Sequence, residues 1–130
     1  MVHLPARTLL IALLATATTA VAGCGSEAIS VPKSDAAAYR GAQLFAERCG
    51  GCHTISAAGT QGSRPKTEIN TRDRTNGPSF NQRHEDYEAV LAAIRQGGFS
   101  GAIMPGNIVT GADAENVATF LNKYSGQKPK

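Results

Sequence analysis

Cys49-Gly50-Gly51-Cys52-His53 is the stretch on which the reading of the fold turns. It has the form C-x-x-C-H, the pattern for covalent attachment of a c-type haem. Two thiols at this spacing can reach the two vinyl groups on one haem edge and form thioethers. The histidine that follows is then brought beneath the iron as an axial ligand. Gly50 and Gly51 place few steric limits on the tight turn between the cysteines. Other uses of C-x-x-C fit less well. A zinc site wants a full set of Cys and His ligands, usually a second C-x-x-C or a His pair, and the only other cysteine is Cys24. A thioredoxin-like C-x-x-C follows a strand and opens a helix. Here the alanine-rich run Asp35-Ala36-Ala37-Ala38-Tyr39-Arg40 precedes the cysteines and reads as a helix that they close. The motif occurs once, so one haem c is expected.

Upstream, the chain addresses itself to a membrane. Arg7 is the only charged side chain before Glu27, and Thr8 to Ala22 forms an apolar core broken by threonines. That is the layout of a secretory signal, and it falls short of the roughly 20 apolar residues of a membrane span. It ends in Val21-Ala22-Gly23-Cys24, which resembles the lipobox of bacterial lipoproteins. The resemblance implies cleavage after residue 23, lipidation of Cys24, and a protein held to the outer side of the cytoplasmic membrane. More than one acyl chain gives stable anchoring where a single chain does not. The other reading of Cys24 is a free thiol or an intermolecular disulfide after ordinary signal cleavage. The expected organisation is therefore a signal peptide over 1–23, a lipidated tether over 24–34, one domain over 35–126 and a short tail over 127–130.

The rest of the chain suits one domain with a limited core of its own, in which a buried porphyrin would supply much of the apolar interior. Thirteen Lys and Arg against ten Asp and Glu give a formal charge of +3, and this near-balance argues against nucleic acid as a partner. Three helices are expected and no strand. Ser34 is placed to cap the first, with Asp35 in its first turn, and it runs to about Arg48 with Ala38, Gly41, Ala42 and Phe45 on one face. The second spans about Glu85 to Gln96, with Tyr87, Val90, Leu91 and Ile94 as its stripe, and stops at Gly97-Gly98. The third opens on Thr110-Gly111-Ala112-Asp113, a capping-box pattern, presents Val117, Phe120, Leu121 and Tyr124, and ends at Gly126. These stripes describe a small all-α domain and carry no function by themselves.

From Ala38 to Ser125 the chain resembles a small class I cytochrome c. Gly41-Ala42-Gln43-Leu44-Phe45 matches that family's first-helix pattern of a glycine with an aromatic four residues on. Phe120-Leu121 matches the aromatic-Leu pair of its last helix, and Gly77-Pro78-Ser79-Phe80 is similar to its Gly-Pro-x-Leu loop. The resemblance implies three main helices around one covalent haem, with the Pro78 carbonyl accepting a hydrogen bond from the axial His53. It also implies a second axial ligand at Met104, in Met104-Pro105. Elimination points the same way, since Met1 leaves with the signal and Met104 is then the one thioether remaining. A soft thioether favours ferrous iron and raises the reduction potential. The other reading of Met104 is simple loop packing; the rival ligand His84 reads as an exposed residue near a helix start.

Thr54 to Asn76 is expected to be a long connection without regular structure. Arg64, Lys66, Arg72 and Arg74 within it give either a basic docking surface or a solvated loop. Arg74 and Arg83 are the candidates for the haem propionates, chosen on charge alone. With both axial positions filled, the expected function is electron transfer between redox protein partners, without catalysis. The alternatives are a small-gas sensor or enzyme with a labile methionine, and a cytochrome subunit of a larger oxidoreductase complex.

Overall fold

A computed structural model describes residues 28–62, 77–98 and 104–127. The signal peptide, the lipobox with Cys24 and the basic stretch from Arg64 to Arg74 lie outside them. Three helices dominate: α1 (Ala36–Arg48), α2 (Tyr87–Gln96) and α3 (Gly111–Tyr124). Between α1 and α2 the chain makes two strands, β1 (Thr54–Ile55) and β2 (Thr60–Gln61), joined by a single 3-10 turn at Ser56–Ala58. The strands pair antiparallel, Thr54 with Gln61 and Ile55 with Thr60. The connection expected to lack regular structure therefore begins as a tight hairpin. Its reason is polar as well as apolar. Ile55 and Ala58 are buried, and the buried Thr60 hydroxyl donates to the His53 carbonyl at 3.0 Å and accepts from the Ile55 N–H at 3.1 Å.

α1 packs mainly on α3, which also carries α2. Ala38, Gly41, Ala42, Leu44 and Phe45 are buried on α1; Val90, Leu91 and Ile94 on α2; Ala114, Val117, Ala118, Phe120 and Leu121 on α3. The helical stripes read from spacing are these faces, with Tyr87 and Tyr124 at their partly buried edges. Close approach of α1 and α3 depends on Gly41. A Cβ there would fall 2.0 Å from the Asn116 carbonyl oxygen and 2.7 Å from Phe120 Cβ. Phe45 and Phe120 meet edge to face beside it, with centroids 5.8 Å apart, a geometry that aromatic rings favour.

The helix starts differ from expectation. Asp35, and not Ser34, is the N-cap of α1; its carboxylate makes no cap bond and instead accepts from Lys123 Nζ at 2.9 Å. That bond holds the Asp35 carboxyl below its ordinary value and ties the start of α1 to the last turn of α3. α2 begins at Tyr87 and not at Glu85: Asp86 is its N-cap in extended geometry, and Glu85 before it is bonded to the end of α3 and to Ser125 just past it. The Glu85 N–H donates to Ser125 Oγ at 2.8 Å, and its carbonyl accepts from Asn122 Nδ2 at 3.3 Å. Thr110 caps α3 in extended geometry, without the side-chain bond of a capping box. The stops at Gly97 and Gly126 have φ of 85° and 75°, the left-handed half of backbone space that glycine enters at least cost.

Within the stretch read as a tether, the chain is docked from Ile29 onward. Val31 is buried in the core and Ile29 packs against it. The Ser30 N–H donates to the Ala57 carbonyl at 3.0 Å, and Asp35 N–H to the Pro32 carbonyl at 3.0 Å. Among the described residues no helix is long and apolar enough to cross a membrane.

Candidate functional site

The end of α1 runs directly into the C-x-x-C-H turn. Cys49 N–H still bonds the Phe45 carbonyl at 2.8 Å, and Cys52 and His53 N–H both return to the Cys49 carbonyl, at 3.0 and 2.9 Å. The turn is thus an extra helical winding that sets both thiols and the imidazole on one short rigid piece. Neither Gly50 nor Gly51 needs a positive φ. Gly50 is required for space instead, since a Cβ would lie 2.7 Å from the Ala46 carbonyl oxygen and 2.7 Å from Thr60 Cγ2. No disulfide joins or engages either cysteine. Cys49 is the more enclosed, and burial, with the neighbouring Cys52 adding to it, pushes its pKa up to about 11.

A second piece of backbone closes on His53. Gly77 N–H donates to the Cys52 carbonyl at 2.9 Å and Phe80 N–H to the Thr54 carbonyl at 2.8 Å, with a parallel bridge between Thr54 and Ser79. These bonds set Pro78 opposite the imidazole, and His53 Nδ1 lies 3.2 Å from the Pro78 carbonyl oxygen. A carbonyl can only accept, so Nδ1 carries the hydrogen and Nε2 keeps its lone pair for a metal. Burial lowers the His53 pKa; the Pro78 bond opposes this, Arg83 adds to it and Glu85 works against it. The outcome is the neutral imidazole that ligation needs.

Gly77 makes this approach possible. A Cβ there would lie 2.2 Å from His53 Cε1 and 2.5 Å from Nδ1. Gly77→Ala is therefore expected to push the ring off the Pro78 carbonyl, visible as altered ligand-field bands in the ferric spectrum, with the helical content kept. A spectrum identical to wild type would show that the ring does not occupy this cradle.

Met104 is partly buried against the core, and its carbonyl accepts from Gly98 N–H at 3.2 Å. Gly97 and Gly98 leave room for it, since a Cβ on either would press on Met104, at 2.7 Å from its carbonyl oxygen and 3.1 Å from its Cβ. Of the other candidates, Arg83 is ion-paired with Glu85, His84 is exposed with its ring 3.9 Å from Asp86, and Arg74 lies outside the described residues. Among the described residues no group of three or more His, Cys, Asp or Glu could hold a bare metal ion. A shallow hollow lined by Leu91, Arg95, Asn107 and Ala114 shares no residue with the C-x-x-C-H site.

Sequence reasoning took Phe80 only as part of a loop resemblance. In the structure it stacks on His53, with centroids 4.9 Å apart and planes within 16°, and meets the edge of Phe45 at 5.8 Å. Spacing along the chain carries no signal for such a contact.

Residues 38–125 match the family described as Cytochrome c. The chain belongs to the cytochrome c family. This cytochrome is also similar to the crystal structure of the c-type cytochrome SorU from Sinorhizobium meliloti, at 27% identity and a TM-score of 0.55, with 74% of this chain and 99% of that chain covered. No curated protein sequence matches it. The fold is the small all-α cytochrome fold, the cofactor is covalent haem c, and the family function is electron transfer. The residues present fit that cofactor: two cysteines outside any disulfide on one turn, a histidine whose Nδ1 is engaged by Pro78 so that Nε2 is the nitrogen left to a metal, and a glycine cradle that any side chain would fill.

Proposed function

We propose that this cytochrome is a class I, mono-haem electron carrier. It is lipid-anchored through Cys24 to the outer side of a bacterial cytoplasmic membrane and shuttles single electrons between redox proteins of a respiratory or similar chain. The observation that carries the reading is the hydrogen-bonded His53, oriented by Pro78 and presenting Nε2. Haem c, when bound, supplies a one-electron iron couple. Cys49 and Cys52 would hold it through thioethers, and His53 and Met104 would supply the two protein ligands to its iron. With both axial positions taken by protein, no site is left for a substrate, which favours a carrier over a catalyst. Phe45, Phe80 and Phe120 form a packed aromatic wall behind His53, and a wall of this density resists rearrangement on a change of charge.

The test is the intact mass of protein extracted from membranes with detergent. It should equal residues 24–130 plus one haem that survives acid-acetone, plus the acyl groups on Cys24. An unmodified Cys24 in a wholly soluble protein would remove the anchor. Loss of haem on extraction would remove the thioethers.

A further inference from the structure

We infer that Phe80 is a positioning residue that sets the plane of the His53 imidazole against the haem. This deepens the proposed function and rests on His53 being an axial ligand. The Pro78 bond fixes one atom of the ring, Nδ1, at 3.2 Å. One bonded atom still lets the ring tilt away from the Gly77 backbone that it lies against, because the terminal torsion of histidine has a broad energy well. The flat face of Phe80, 4.9 Å away and within 16° of parallel, removes that freedom. Offset stacking is a favoured arrangement for two π-systems.

Phe80 itself is held through both its backbone and its ring. Its N–H donates to the Thr54 carbonyl, and its carbonyl accepts from Gly126 N–H, both at 2.8 Å. Its ring meets Phe45 at 70°, and Phe45 in turn meets Phe120 at 60°. The tilt of His53 is thereby tied to the packing of α1 against α3. The loop this segment resembles carries leucine at the same position. A leucine would fill the volume without offering a flat face to the imidazole. In ferric low-spin iron the plane of an axial imidazole, together with the direction of the sulfur lone pair of a thioether ligand, sets which d orbital holds the unpaired electron. That choice also decides which part of the porphyrin edge carries spin density. A ring clamped from both Nδ1 and its face keeps the imidazole's contribution the same before and after transfer.

Nuclear magnetic resonance on the holoprotein tests this. In the diamagnetic ferrous wild type, cross-relaxation between the Phe80 and His53 ring protons is expected, and its absence overturns the stack without recourse to any variant. In the ferric state, Phe80→Leu should change the order and spread of the hyperfine-shifted haem methyl resonances, while Phe80→Tyr, which keeps the ring, should preserve the wild-type order. A wild-type pattern in Phe80→Leu would reduce Phe80 to core filling and overturn the inference. His53→Ala separates the two levels. It should abolish the low-spin spectrum, and a spectrum that survives it would mean that the axial assignment has failed as well.

Discussion

Gly41→Ala should destabilise the holoprotein by about 2 kcal/mol or more, a drop in thermal midpoint of roughly 8–16 °C for a domain of this size. Two effects oppose each other at this position. Alanine in a helix interior is better than glycine by about 1 kcal/mol, which alone would predict a more stable protein. The added Cβ, however, would sit 2.0 Å from the Asn116 oxygen, 2.6 Å from the Asn116 carbonyl carbon and 2.7 Å from Phe120 Cβ. Two of those atoms are backbone of α3, so the clash cannot be relieved by a rotamer change and must separate the helices. Overpacking of this kind costs about 1–3 kcal/mol and at times more, and a contact this short belongs at the upper end. Guanidinium denaturation followed by helical circular dichroism measures the change. Gly51→Ala is the control, since no atom of the described residues lies within 4 Å of its new Cβ; its effect should stay within about 0.5 kcal/mol. A midpoint for Gly41→Ala equal to or above wild type would mean that α1 and α3 do not meet as described.

Met104→Ala should lower the reduction potential by about 0.2 V or more, a fair part of the roughly 0.8 V range that axial ligation spans. A thioether stabilises ferrous iron, so its loss favours the ferric state, and the sixth position becomes open to exogenous ligands. The variant should therefore bind carbon monoxide readily when reduced and should lose the weak sulfur-to-iron band of the ferric wild type. Reduced wild type should bind carbon monoxide poorly at neutral pH. Ready uptake by the wild type would mean a labile Met104, and a gas-binding protein would then fit better than a carrier. His84→Ala should leave both spectra as they are, because His84 is exposed and faces Asp86.

The helices and the haem motif were legible because their signals are local. A stripe such as Val90, Leu91 and Ile94 repeats at the period of the helix, and C-x-x-C-H is contiguous. The details that escaped depend on groups far apart in sequence. Asp35 displaces Ser34 as the cap of α1 while its carboxylate is drawn away to Lys123 near the other end of the domain. Glu85, ahead of α2, is bonded to Ser125 and Asn122. The hairpin at Thr54–Gln61 has two-residue strands, too short for alternation over about four to eight residues to register, and it is pinned by a buried Thr60 hydroxyl that resembles any loop threonine in the sequence. The Phe80 stack combines both difficulties, being neither periodic nor local.

The burial of Val31 has a mechanical consequence. If Cys24 carries the lipid, only five residue steps separate it from Ile29, where the chain meets the core. Fully stretched, such a leash spans at most about 18 Å. A domain of about 100 residues has a radius of gyration near 13 Å, hence a diameter of roughly 34 Å if compact, so the leash is shorter than the body it holds. The domain can swivel about its attachment yet never clear the lipid surface by its own width. With that anchor in place, the domain would meet its partners within that thin layer, and its own diffusion would be confined to two dimensions.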